Sequence, residues 1–115
     1  MSNYSIFDIV GPIMIGPSSS HTAGAARLAK LASLICGGNP VKVEFILHGS
    51  FAKTYKGHGT DKALVAGILK MDPWDENLKN SFEIAKEKGI EIIFTEGDLG
   101  DVHPNTVKFI ISKED

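Results

Sequence analysis

Five consecutive positions, Ser18-Ser19-Ser20-His21-Thr22, carry four hydroxyls and one imidazole between a Gly16-Pro17 turn and the alanine-rich stretch that begins Ala23-Gly24-Ala25. At a helix N-terminus such a run meets free backbone N–H groups and the positive end of the macrodipole, and both favour a carboxylate or phosphate. The hydroxyls donate to the same anion. His21 suits general acid–base work, because an imidazole titrates near neutral pH. A serine is also an ordinary N-cap, and a first-turn histidine commonly meets only solvent. Five hydrogen-bonding residues in a row exceed what capping requires. A serine-hydrolase reading fails: there is no Gly-x-Ser-x-Gly elbow, and adjacency of Ser20 and His21 does not orient a nucleophile to a base.

A second set of chemical residues follows in His48-Gly49-Ser50 and Gly57-His58-Gly59-Thr60-Asp61. Gly57 and Gly59 flank His58 and permit close backbone approach to a ligand. The stretch is not a P-loop, since Gly-x-x-x-x-Gly-Lys-[Ser/Thr] is missing. His21, His48 and His58 match no standard local zinc spacing. His48 at a strand end reads equally well as a buried structural residue, Tyr55 as a packing residue, and His103-Pro104-Asn105 as a turn.

These residues need elements to carry them. Asn3 to Ile15 is extended and turn-rich and reads as an edge strand or an apolar arm. A first helix is expected from Ser20 to Ile35, with Ala25, Leu28, Ala32 and Ile35 at helical spacing, Ala29 and Leu31 widening the stripe, and Gly37-Gly38 ending it. Val41 to Leu47 alternates as a strand. A second helix runs from a Thr60 or Asp61 cap to Leu69, and a third from Asp75 to Lys88 with Leu78, Phe82 and Ala85 inward. Ile90–Phe94 and Thr106–Ile111 are strands close enough to form a hairpin. In the last strand Val107, Phe109 and Ile111 share one face. The expected fold is a single α/β domain with a mixed sheet packed by helices. Ligands of open α/β sheets sit at the carboxyl ends of strands, where the His48 loop falls.

Composition narrows the function. The chain of 115 residues is 43% hydrophobic and 23% charged, ordinary for one globular domain. No apolar run approaches the ~20 residues of a membrane span. No basic-then-apolar leader opens the chain, so a cytoplasmic setting is the default expectation. One cysteine, Cys36, excludes an internal disulfide and reads as a small buried residue. Residues 1–70 hold seven Lys/Arg against Asp8, Glu44 and Asp61, a balance of +4, and residues 71–115 a balance of −6. The basic half suits a small anion and is too poor in arginine for nucleic acid.

Ser5-Ile6-Phe7-Asp8-Ile9-Val10-Gly11-Pro12, the Gly16–Ala25 run, His48-Gly49-Ser50, Gly57-His58-Gly59-Thr60-Asp61 and His103-Pro104-Asn105, in that order, resemble the beta chain of the iron–sulfur-dependent L-serine dehydratases. The resemblance implies deamination of L-serine to pyruvate and ammonia without pyridoxal phosphate. It places a [4Fe-4S] cluster on the cysteines of an alpha chain, the implied partner, and no metal on this chain. It implies a fold similar to the allosteric substrate-binding domain of phosphoglycerate dehydrogenase over residues 1–115. The ACT domain that commonly follows in the family is not in this sequence, which suggests a truncated or partial chain.

Residue by residue, the resemblance makes His21 the first candidate for proton transfer and His58 the second. Ser18, Ser19, Ser20 and Thr22, with Gly57 and Gly59, become substrate-binding candidates, and His48 and His103 rank lower. The isolated chain is expected to be inactive. A non-catalytic small-anion binding module is the alternative. The apolar Ile6–Ile15 arm suggests an interaction surface, such as a homodimer of the domain.

Overall fold

The computed structural model describes residues 4–12, 20–48, 59–72, 74–100 and 106–114, with the backbone alone for 4–8, 10–12, 20–22 and 114. Strand β1 (Tyr4–Pro12) leads to helix α1 (Ser20–Cys36) and strand β2 (Pro40–His48). Helix α2 (Thr60–Ile68), a 3-10 turn (Leu78–Asn80) and helix α3 (Ser81–Glu87) follow, then strands β3 (Glu91–Gly97) and β4 (Thr106–Glu114). The sheet has four strands in the order β1-β4-β2-β3. β4 is antiparallel to both neighbours, and β3 is parallel to β2. β1 and β2 therefore point the same way with β4 between them, and β1 is an edge strand as its Gly-Pro content suggests.

The alternation read in the strands sets the core. Val43, Phe45 and Leu47 of β2 and Val107, Phe109 and Ile111 of β4 are buried, and Ile9, Ile92 and Phe94 pack against them from the outer strands. The Phe45 ring stacks on Phe94 at 4.8 Å and meets Phe109 edge-on at 5.6 Å. On the helical side Ala25, Ala26, Ala29 and Ala32 of α1 lie against Ala63, Leu64, Val65 and Ile68 of α2 in the same cluster. These small side chains let the helix axes approach closely. At Gly67 an added Cβ would collide with the Ala26 carbonyl oxygen and the Ala29 side chain.

Several expectations change. β3 and β4 form no hairpin: β4 inserts between β1 and β2, and β3 pairs with the far side of β2. The α1 stripe is narrower than expected, because Leu31 and Ile35 are 54% and 61% exposed and the alanines carry the burial. The third helix begins at Ser81 after a 3-10 turn, with Ala85 buried but Phe82 at the surface. Both late strands extend further than expected, to Gly97 and Glu114. The charge asymmetry is also folded in on itself: Lys30 meets Asp72 at 2.6 Å and Lys42 meets Glu91 at 3.9 Å, each pair joining the basic half to the acidic half.

Candidate functional site

Register locates one sheet edge toward which the described candidates Ser20–Thr22, His48 and Thr60 lie. Pro12 at the end of β1 pairs with Thr106 at the start of β4, Leu47 near the end of β2 pairs with Val107, and His48 pairs with Gly97 at the end of β3. The carboxyl ends of the three co-directional strands and the start of β4 thus share one edge.

Both long helices begin there. α1 ends at the opposite edge, where the Lys113 Nζ donates to the Cys36 carbonyl at 2.9 Å beside the Pro40–Lys113 pairing. With 17 residues and about 1.5 Å of rise each, it reaches back some 25 Å. The end of α2 lines a surface groove with Asn39, Pro40, Lys88 and Ile90 at that opposite edge, so Thr60 faces the carboxyl edge.

Ser20, His21 and Thr22 occupy the first turn of α1. The expected helix start therefore holds, and their side chains lie outside the described residues, as do Ser18, Ser19, Gly57, His58 and His103. Gly59 is described: it is the N-cap of α2 at φ 72°, a left-handed conformation that suits glycine.

His48 closes this edge structurally. Its side chain is 15% exposed, and its Nδ1 accepts a hydrogen bond from the Leu99 N–H at 3.0 Å. An accepting Nδ1 puts the ring proton on Nε2, so the 3.8 Å approach of the exposed Asp98 carboxylate is not an ion pair. His48 ties the chain after β3 to the end of β2.

Thr60 departs from expectation. Neither it nor Asp61 caps the helix: α2 has no side-chain cap, and the Asp61 carboxylate accepts from the Lys62 N–H next to it at 2.8 Å. Thr60 is fully buried, and its Oγ1 has no hydrogen-bond partner among the described residues. The buried serines differ: Ser33 donates to the Ile68 carbonyl at 3.0 Å and Ser81 to the Lys62 carbonyl at 2.8 Å. A buried hydroxyl left unpaired costs about 1–3 kcal/mol, so an orphan at a helix start stands out. A threonine directly after a glycine N-cap, where a capping side chain belongs one position earlier, was the available sequence signal.

Cys36 lies at the other edge. It is buried, and burial pushes its thiol upward against the opposing pull of Lys113 and Lys70. It is the chain's one cysteine and lies remote from the carboxyl edge.

The fold defines a two-layer α/β domain that brings two helix starts, His21 and a buried hydroxyl with no partner among the described residues to the carboxyl side of its sheet. A family model for the serine dehydratase beta chain matches residues 5–88. The chain is similar to the L-serine dehydratase beta chain of Peptoniphilus asaccharolyticus, 58% identical over 113 residues, which is 97% of this chain and 51% of that relative. It is 53% identical over 114 residues to the probable L-serine dehydratase beta chain of Bacillus subtilis (strain 168), covering 99% of this chain and 52% of the other. An L-serine dehydratase of Streptomyces coelicolor is 42% identical over 71 residues, 56% of this chain and 15% of that longer protein. The chain belongs to the serine dehydratase beta chain family. It spans about half the length of the beta-chain relatives. No solved structure matches it.

Proposed function

We propose that this chain serves as the beta part of an L-serine dehydratase, an enzyme that converts L-serine to pyruvate and ammonia. The observation that carries the reading is the 58% identity to an L-serine dehydratase beta chain across 97% of the sequence. A related segment also occurs inside a longer chain named L-serine dehydratase, which supports a working partnership with an alpha-type chain. That partner would carry the iron–sulfur cluster, whose iron supplies Lewis acidity when present.

This chain's own residues do the rest of what the carboxyl edge allows. The α1 start offers N–H groups and the Ser18–Thr22 hydroxyls to the substrate carboxylate, and His21 moves the α-proton, with His58 as the second candidate. Loss of the α-proton and the β-hydroxyl leaves aminoacrylate, which tautomerises and hydrolyses to pyruvate and ammonia. Gly57 and Gly59 allow the backbone close to the substrate.

The test is reconstitution: the chain alone, its alpha partner alone, and the two combined with iron under anaerobic conditions, each assayed for pyruvate from L-serine. Activity only in the combination supports the reading. A combined sample that assembles, binds iron and makes no pyruvate overturns it.

A further inference from the structure

We propose that the start of α2 reads the zwitterionic head of a small α-amino acid, with the Thr60 hydroxyl and first-turn N–H groups holding the carboxylate and the Asp61 carboxylate holding the ammonium. The inference rests on the serine dehydratase reading for the identity of the amino acid, and on the geometry of α2 for the site.

Three observations meet at this turn. Thr60 Oγ1 is buried without a partner among the described residues, while the buried Ser33 and Ser81 hydroxyls each donate to a carbonyl. A helical Cα–Cβ bond tilts toward the helix N-terminus, so the Thr60 side chain leaves α2 on the side of its own first-turn donors. Those donors are available: the first helical bond is Ala63 N–H to Gly59 O, Lys62 N–H is taken by Asp61, and the Thr60 and Asp61 N–H groups have no partner among the described residues. Gly59 brings no Cβ, and none of the described residues comes within 4 Å of where one would stand.

The charges select the ligand. A nine-residue helix directs its positive end at this point and favours a carboxylate. Asp61, in the same turn, repels a simple anion, and its carboxylate has lone pairs beyond the one that accepts from Lys62. A ligand carrying both carboxylate and ammonium satisfies both groups; a hydroxy acid satisfies one. The turn lies at the carboxyl edge that α1 also faces, so the α1 start and the α2 start would each donate to a different oxygen of the one substrate carboxylate.

Thr60→Val, Thr60→Ser and Asp61→Asn, each assembled with the alpha partner and iron, test the proposal. Thr60→Val is expected to raise the KM for L-serine about tenfold or more, with kcat within about threefold of wild type. Its melting temperature should equal or exceed wild type, since an orphan hydroxyl is replaced by a methyl. Thr60→Ser should restore KM. Inhibition by glycerate, which lacks the ammonium, should weaken in Thr60→Val and persist in Asp61→Asn, whose KM for serine rises. An unchanged KM in Thr60→Val, or an equal rise in Thr60→Ser, overturns the proposal. If the wild-type assembly does not deaminate serine, the functional reading fails separately. Thermal stabilisation of the full chain by L-serine and L-alanine then decides the site: stabilisation in wild type and Thr60→Ser but not in Thr60→Val supports it, and any other pattern overturns it.

Discussion

The two edges of the sheet are built on opposite principles. At the amino edge the connections into the strands are tight: three residues, Gly37–Asn39, join α1 to β2, and three, Lys88–Ile90, join α3 to β3. The helix ends there are closed by bonds. Gly89 N–H reaches the Lys86 carbonyl and Ile90 N–H the Ala85 carbonyl, while Lys70 N–H and Met71 N–H bond Gly67 and Ala66 at the end of α2. Lys70, Lys88 and Lys113 stand at these three C-termini, where a cation complements the dipole. At the carboxyl edge the connections between elements run to seven, eleven and eight residues, two helices present their N-termini, and a buried hydroxyl has no partner among the described residues. Among the described residues, the helix ends at the amino edge are bonded, while at the start of α2 the Thr60 hydroxyl and the Thr60 and Asp61 N–H groups have no partner.

Variants at the two edges should therefore separate activity from stability. The largest effect is expected from His21→Ala in the assembled enzyme: turnover down about 10²–10⁴-fold, with assembly and melting temperature unchanged. Wild-type turnover in that variant would remove the carboxyl edge's chemical role. Gly67→Val, at the helix crossing, should do the reverse. It forces α1 and α2 apart and costs about 3 kcal/mol in denaturant unfolding, while each folded molecule keeps its activity. His48→Ala should lose about 1 kcal/mol, by freeing the Leu99 N–H it now satisfies.

A smaller, pH-dependent effect belongs to the amino edge. Burial raises the Cys36 thiol above its ordinary value of about 9, with Lys113 and Lys70 opposing. The unfolded chain releases that proton first, so stability should fall as pH climbs from the ordinary value toward the folded one. Below the ordinary value the contribution is fully present. Cys36→Ala should flatten that slope without touching activity, and an identical slope in the variant would show that Cys36 is not its source.

Much of the fold was legible because it is local. The alternation of Val43, Phe45 and Leu47 and of Val107, Phe109 and Ile111 predicted the buried faces of β2 and β4, and Gly37-Gly38 marked the end of α1. Strand order was not legible: whether β4 pairs with β3 or inserts beside β2 depends on how β1 and β2 are held by α1, a tertiary contact. Hydrophobicity also misled on α1, where Leu31 and Ile35 were expected inside. Close packing against α2 selects alanines at the contact and turns the larger side chains outward. For the site, residue types and their helix-start positions pointed to the carboxyl edge, and Ser20–Thr22 do open α1. The orphan state of Thr60 had no sequence signature stronger than its place after Gly59, because a missing partner is a property of the surroundings.

The claim that the carboxyl edge is the working edge is tested most directly by hydrogen–deuterium exchange on the assembled complex, iron withheld, with and without L-serine. Slower exchange in peptides covering the first turns of α1 and α2, with Gly37–Pro40 and Lys88–Ile90 unchanged, is the expected result. Protection confined to the amino edge, or none at the two helix starts at saturating serine, would contradict the account.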